Sequence, residues 1–103
     1  MVALYQCTWR WPGVGDAGER SRQFARAFLV ADREVPELQG MVRAWYTYPG
    51  EWAGLLIVEA ERPEDLVRVL NPFNGLMTWE VKPLLAQDYA ETKRRLSQQA
   101  SQG

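Results

Sequence analysis

The stretch Met41–Ala60 constrains the fold more than any other part of this sequence. It contains two β-rich runs, and Pro49 and Gly50 between them are typical of a tight turn. This is the longest β signal in the chain, and a predicted helix lies on either side of it. The stretch therefore predicts a β-hairpin at the centre of a mixed α and β domain.

The register of this hairpin decides which side chains share a face. If Tyr48 lies opposite Trp52, even positions pair with even positions and odd with odd. The face expected to take helices then carries Val42, Ala44, Tyr46, Tyr48, Gly54, Leu56, Val58 and Ala60. The other face carries Arg43, Trp45, Thr47, Ala53, Leu55, Ile57 and Glu59. Because a face with Trp, Leu and Ile should not be left in water, we expect something to cover it.

Capping and breaking residues place the remaining elements of the first half. Val2–Trp9 is β-rich, and the Pro- and Gly-containing residues 11–15 predict a loop. Asp16 and Glu19 have the spacing of a capping box, which predicts that a helix begins there. Pro36 ends this helix, because the residue before a proline is pushed out of the helical region.

The second half repeats the pattern. Pro63 suits the first turn of a helix that Pro72 stops, and Leu76–Leu84 is the fourth β run. Pro83 near its end predicts an edge strand or a strand leaving the sheet. Asp88 then opens a third helix, which we expect to reach about residue 98 before a polar, frayed tail.

The predicted order is β-α-β-β-α-β with a helical extension. Short connections and right-handed crossovers give a ferredoxin-like α+β sandwich with strand order 4-1-3-2 and two helices on one face. We place this domain at residues 1–86 and the C-terminal helical extension at residues 87–103. The other sheet face stays uncovered within one chain, and a second copy, sheet against sheet, is its simplest cover. We therefore expect a homodimer closed as a dimeric α/β barrel.

Several short motifs resemble a known family. Thr8 and Trp9, then Val58 and Glu59, then the segment 79–83 (Trp-Glu-Val-Lys-Pro) resemble short bacterial proteins of unknown function in the dimeric α/β-barrel superfamily. The resemblance covers roughly residues 2–86. The superfamily includes cofactor-free monooxygenases, haem enzymes, muconolactone isomerases and stress-induced proteins without assigned activity. The haem branch ligates haem through a histidine that this chain lacks, and the resemblance carries over no catalytic residue.

Composition excludes several classes of protein. The chain has 103 residues, which suits one domain, and its net charge of −1 does not indicate nucleic acid or an anionic membrane as a partner. No apolar run is long enough to span a bilayer, and the start does not resemble a signal peptide. There is no histidine and one cysteine, Cys7, so we expect no metal, no tightly bound cofactor and a reducing cytoplasmic location.

The candidate site lies on the uncovered face. Arg43, Trp45 and Glu59 share it by the predicted register, and polarity adds Gln6 and Thr8 from strand one with Thr78 and Glu80 from strand four. A few polar groups on apolar walls are typical of small-molecule pockets. Arg43 would orient a polar or anionic head group, Trp45 would stack on a ring, and Gln6 and Thr8 would line the lumen. Alternatively, Arg43 pairs with Glu59 or Glu80 and only organises the dimer.

Three functions stay open at this point. The first is a binding protein that holds an apolar or aromatic small molecule in the barrel. The second is a cofactor-free enzyme, either a monooxygenase or an isomerase with Glu80 or Glu59 as the base. The third is a purely structural or interaction dimer with a filled core. The five tryptophans could build an aromatic ligand cage, but packing in the core and at the interface is the more common role of such residues, and Trp45 is the best candidate for an exception.

Overall fold

The computed structural model describes residues 2–12 and 16–102. Its elements are β1 (Ala3–Arg10), α1 (Ala17–Glu34), α2 (Leu38–Met41), β2 (Val42–Thr47), β3 (Ala53–Ala60), α3 (Pro63–Leu70), a 3₁₀ helix (Asn71–Phe73), β4 (Thr78–Leu84) and α4 (Tyr89–Ser101). The predicted order of strands and long helices is confirmed, and the one-turn helix α2 was not predicted. Residues 13–15 of the loop predicted after β1 lie outside the described residues.

The predicted caps set the ends of α1. The Asp16 carboxylate accepts a hydrogen bond from the backbone N–H of Glu19 at 3.0 Å, which satisfies one of the free donors of the first turn. At the other end, Val35 precedes Pro36 and leaves the helix with φ −121°. The buried side of α1 carries Ala27 and Ala31, and the helix packs against α2, α3 and the 3₁₀ helix.

A chain of turns connects α3 to the last strand. Pro63 is the first residue of α3, and the chain continues after Leu70 as the short 3₁₀ helix that contains Pro72. Gly75 has φ +87°, a conformation that residues with a Cβ rarely adopt. The Leu76 N–H still bonds within this turn, to the Phe73 carbonyl at 3.0 Å. For this reason β4 begins at Thr78 rather than at Leu76.

The four strands form one sheet in the order β2-β3-β1-β4, and all three neighbouring pairs are antiparallel. This is the predicted order read from the opposite edge, so the ferredoxin-like α+β fold is confirmed. β4 is an edge strand, which agrees with Pro83 near its end, because an edge strand can lose a ladder donor there.

The hairpin register differs from the prediction. The Glu51 N–H bonds to the Tyr48 carbonyl at 3.1 Å, and Gly50 has φ +81°, as expected for a turn with Pro-Gly at its centre. The Tyr48 N–H bonds to the Ala53 carbonyl at 3.0 Å, so Tyr48 faces Ala53 and the loop is one residue longer than predicted. Trp45 therefore lies opposite Leu56.

A bulge at Arg43 ends this shift. Val42 lies opposite Val58, whereas Ala44 lies opposite Ile57, so Arg43 is the extra residue in β2. A one-residue slip exchanges the two faces of a strand. The predicted faces of β3 are correct, but Ala44 and the three residues after it lie on the faces opposite to those predicted.

The core lies between the sheet and the helices. One cluster of buried residues joins β1, α1 and the end of α3: Trp9, Trp11, Ala27, Ala31, Val35, Leu38, Val69, Phe73 and Met77. A second cluster lies under α3: Cys7, Leu56, Val58, Ala60 and Leu66. Gly54 allows β2 and Trp9 to approach, since a Cβ on Gly54 would lie 2.2 Å from the Tyr46 carbonyl oxygen.

Helix α4 stands apart from this body. It begins at Asp88, whose carboxylate accepts the Glu91 N–H at 2.9 Å, and continues to Ser101, beyond the predicted end near residue 98. None of its residues is buried. The Cα radius of gyration is 17.6 Å, whereas a compact domain of this length would have about 13 Å. Among the described residues, no helix combines the length and the apolar character that crossing a membrane requires.

Candidate functional site

We call the side of the sheet opposite the core the open face. The alternation of the paired strands assigns to it Leu4, Gln6, Thr8, Arg10, Ala44, Tyr46, Leu55, Ile57, Glu59, Thr78, Glu80, Lys82 and Leu84. The bulge residue Arg43 joins them through Glu59. Predicted site residues on this face are thus Arg43, Glu59, Gln6, Thr8 and Glu80, as expected from the sequence.

Arg43 and Glu59 form an ion pair across the hairpin. The Arg43 Nη1 donates to the Glu59 Oε2 at 3.0 Å, and both side chains are partly open to water. The bulge in β2 brings them together, because it turns Arg43 toward the face that Glu59 occupies in β3. This is the pairing that the sequence analysis gave as the structural alternative to a ligand site.

The other polar residues form separate small groups. The Gln6 Nε2 donates to the Thr8 Oγ1 at 3.3 Å along β1, and Lys82 pairs with Glu80 at 3.2 Å on β4. Glu80 lies opposite Thr8, whereas Glu59 lies opposite Leu4. Strand spacing of about 4.8 Å and a rise of about 3.3 Å per residue then separate the Cα atoms of the two glutamates by roughly 16 Å. A single chain does not bring Glu59 and Glu80 into one cluster.

Trp45 is not on the open face, so the face predicted for it is wrong. Its ring lies 5.9 Å from Phe24 and 5.7 Å from Phe28, centroid to centroid, and both of these residues belong to α1. The cause is the longer hairpin loop, which pairs Trp45 with the buried Leu56. Tyr46 occupies the open face instead and is 59% exposed.

A second concave region was missed by the sequence analysis. We call it the aromatic cleft: about 500 Å³ between the hairpin loop and the first half of α1, walled chiefly by Trp9, Trp11, Phe24, Trp45, Tyr48 and Trp52. The volume lies in the range of small-molecule sites. The number of tryptophans was the available signal, but their convergence depends on the register of β2, which the sequence did not supply.

Three contacts order the outer wall of the aromatic cleft. The rings of Trp11 and Trp52 meet edge to face, with centroids 6.2 Å apart and an interplanar angle of 83°. The Trp11 N–H also donates to the Trp52 carbonyl at 2.8 Å, which ties the end of β1 to the hairpin. The Arg20 guanidinium lies 4.7 Å from the centre of the Trp52 ring, a cation–π distance.

Cys7 and the acidic residues offer little to a metal or a nucleophilic mechanism. Cys7 is completely buried, and burial raises its pKa to about 11, which keeps it a neutral thiol near neutral pH. Among residues 2–12 and 16–102, no group of three or more His, Cys, Asp and Glu side chains converges as a metal site would require. The chemistry of the described residues is therefore that of aromatic surfaces and exposed ion pairs.

Comparisons with known proteins agree with the fold. None of the curated proteins matches the chain. A solved structure from structural genomics, protein YJCS, superposes with a TM-score of 0.50 over 84% of this chain and 100% of that one, at 12% identity. Such low identity supports the fold alone. Residues 3–100 match the model of a family described as "Domain of unknown function (DUF3303)". Because this match spans nearly the whole chain, the protein belongs to the DUF3303 family.

Proposed function

We propose that the protein is a homodimer in which two open faces meet as a dimeric α/β barrel that holds an apolar or aromatic small molecule. The open face itself carries the proposal. Among the described residues, the buried clusters under α1 and α3 lie on the other side of the sheet, while Tyr46, Leu55 and Ile57 share this side with the ion pair of Arg43 and Glu59. Contiguous apolar surface of this kind is typical of an interface or a ligand surface.

The size of the open face indicates how much additional surface a stable dimer would have to bury. Four strands about 4.8 Å apart and about seven residues long, at about 3.3 Å per residue, present roughly 450 Å² per chain. Two such faces bury about 900 Å², which is below the 1,200–2,000 Å² or so of stable specific interfaces. The sheet-to-sheet contact therefore needs additional surface.

Helix α4 supplies that surface in our proposal. Leu85 and Tyr89 are more than 80% exposed and Leu96 is 53% exposed. Tyr89, Leu96 and Ala100 recur at helical spacing along a shallow groove of about 580 Å³. An unpartnered apolar stripe on a projecting helix suits contact with a second copy, so we propose that residues 87–103 act as an arm that packs on the partner subunit.

The lumen of the proposed barrel would carry both apolar and polar groups. Tyr46 takes the stacking role that the sequence analysis gave to Trp45. Gln6 and Thr8 offer an amide and a hydroxyl near the middle of the sheet, and Arg43 offers a cation to a polar or anionic head group. Burial of a charged pair is costly unless the pair is well hydrogen-bonded or used, which favours a ligand with a polar end.

Binding is a better proposal than catalysis. Each candidate base already contacts a cation, Glu59 through Arg43 and Glu80 through Lys82. The two carboxylates also lie far apart within one chain. The single, buried Cys7 suits a reducing cytoplasmic location, which we retain as part of the proposal.

The test uses anilinonaphthalene sulfonate, an aromatic anion that fluoresces in apolar sites. The wild-type protein should bind it saturably, and Arg43→Ala should remain a folded dimer but lose most of this binding. Arg33→Ala is the matched control, because Arg33 is an exposed arginine in the last turn of α1, which packs on the core side of the sheet. Equal binding by wild type and Arg43→Ala would refute the lumen site. Joint loss of fold and dimer in Arg43→Ala would support the purely structural ion pair.

A further inference from the structure

We infer that the aromatic cleft is a binding site for a hydrophobic organic cation, that is, an ammonium group carrying an aryl or alkyl body. The aromatic rings of the cleft lie at the hairpin end of the core side, whereas its charged residue Glu51 pairs with Arg10 at the end of the open face. The rings are in place without the proposed dimer. The cleft volume of about 500 Å³ is sufficient for such a molecule, and the walls are already formed in the single chain.

The walls are mainly electron-rich ring faces, and one of them, that of Trp52, already has the Arg20 guanidinium beside it. Four of the five tryptophans line the cleft, with Phe24 and Tyr48, and its described lining residues include no lysine or arginine. The face of an indole carries negative potential and attracts cations more strongly than a phenyl ring does. Any apolar ligand would be stabilised by burying its surface against these rings. A cation would be stabilised in addition by electrostatic attraction to the ring faces.

One contact within the protein already uses this property. The Arg20 guanidinium lies 4.7 Å from the centre of the Trp52 ring. Trp52 is 36% exposed and Trp45 is 44% exposed, so each indole keeps surface that a ligand can reach. The edge-to-face contact with Trp11 and the hydrogen bond between their backbones hold Trp52 in place without a ligand. A preformed wall loses little conformational freedom on binding.

Glu51 adds the only formal charge among the described lining residues, and that charge is negative. Its Oε1 accepts a hydrogen bond from the Arg10 Nη2 at 3.3 Å, and both side chains are more than half exposed. An exposed pair of this kind is weak. A ligand ammonium can therefore share or replace Arg10 at the Glu51 carboxylate.

The experiment compares three probes of similar size by isothermal titration calorimetry. We expect benzyltrimethylammonium to bind with one site per chain, and benzyl alcohol and phenylacetate to bind at least fivefold more weakly. Trp52→Leu should lower the affinity for benzyltrimethylammonium by about fivefold to tenfold, since one cation–π partner is lost. Its circular dichroism should match the wild type, because Trp52 is partly exposed.

Two charge variants give changes of opposite sign. Glu51→Gln should lower the affinity for benzyltrimethylammonium by about threefold. Arg10→Gln should raise this affinity by about twofold, because Arg10 competes with the ligand for the Glu51 carboxylate. Glu37→Gln is the matched control, since Glu37 forms an exposed ion pair with Arg68 outside the cleft and should not change the affinity. The opposite signs would not arise from general destabilisation.

Several outcomes would overturn the inference. One is the absence of saturable cation binding up to about 10 mM, which is weaker than a specific site would give. Another is equal affinity for the cation and for phenylacetate. A third is unchanged affinity in Trp52→Leu and Glu51→Gln. Because Arg43→Ala alters only the open face, failure of the cleft and failure of the lumen are distinguishable.

Discussion

Replacement of Gly54 by alanine tests the packing of the central hairpin against β1. A Cβ on Gly54 would lie 2.2 Å from the Tyr46 carbonyl oxygen and 2.7 Å from the Trp9 Cζ2, closer than real Cβ atoms approach. Neither contact is with the free end of a flexible side chain, because Tyr46 contributes backbone and the Trp9 ring is buried in the core. The strand or the indole must therefore move by about 1 Å.

The cost can be estimated from these contacts. Overpacking of a well-packed core costs about 1–3 kcal/mol, and lengthening one or two hydrogen bonds between β2 and β3 adds about 1 kcal/mol each. The reduced freedom of the unfolded chain returns about 0.5–1 kcal/mol. We expect Gly54→Ala to lower the free energy of unfolding by about 3 kcal/mol, which corresponds to a Tm lower by roughly 12–20 °C.

Gly40→Ala is the matched control for this prediction. Gly40 lies in α2 with no atom within 4 Å of its added Cβ, so alanine there should raise the Tm by a few degrees. Thermal unfolding followed by circular dichroism at one protein concentration gives both values, which matters because dimer stability depends on concentration. A Tm for Gly54→Ala within about 3 °C of the wild type would refute the close approach of β2, and with it the hairpin register.

Three further predictions follow from single contacts. Trp45→Ala should destabilise the chain by about 2–3 kcal/mol in urea unfolding, because the half of the indole in contact with Phe24 and Phe28 leaves the core; a loss below about 0.5 kcal/mol would contradict its place on the core side. Cys7 should resist thiol reagents in the native protein and react after unfolding. Since its folded pKa is raised from 9.0 to about 11, its contribution to stability is complete below pH 9 and should be lost as the pH rises toward 11, and a stability that rises over this range would contradict the assignment. Asp88→Ala should reduce the helical signal of α4 in circular dichroism with little change in the main unfolding transition. The reason is that it removes a cap worth about 1 kcal/mol from a helix without buried residues, and an unchanged helical signal would contradict the cap.

The features that the sequence predicted correctly are local. The Asp16 and Asp88 caps, the breaks at Pro36 and Pro72 and the turn at Gly50 each depend on the chemistry of a few neighbouring residues. Alternation also placed Gln6, Thr8 and Glu80 on the correct side, since each strand had one clearly apolar set.

The features that the sequence did not predict depend on pairing between distant residues. Whether Tyr48 faces Trp52 or Ala53 changes no local propensity, yet it turns Trp45 from the open face to α1. The bulge at Arg43 then restores the pairing of Val42 with Val58, so the first residue of β2 keeps its predicted partner whereas Ala44 and the three residues after it do not. The aromatic cleft depends on the same shift in register. The sequence therefore gives the number of tryptophans but does not predict that four of them line one cleft.

The direction of α4 is the other feature that a sequence leaves open. The cap of α4 and the helical spacing of Tyr89, Leu96 and Ala100 can be identified in the sequence. An apolar stripe does not, however, specify which surface it will contact. In the part of the chain that the structure describes, no residue of α4 is buried. Its exposure is the reason that our proposal assigns it to a second copy.

Sedimentation equilibrium of the wild type and of Tyr46→Glu tests the central claim, burial of the open face in a homodimer, most directly. The wild type at micromolar concentration should sediment at about twice the chain mass of 11.8 kDa. Tyr46→Glu should sediment as a folded monomer, because the carboxylate would lose its hydration in the interface. Val67→Glu, which changes a similarly exposed side chain on α3, should remain a dimer. A folded wild-type monomer, or a Tyr46→Glu dimer as stable as the wild type, would contradict the account.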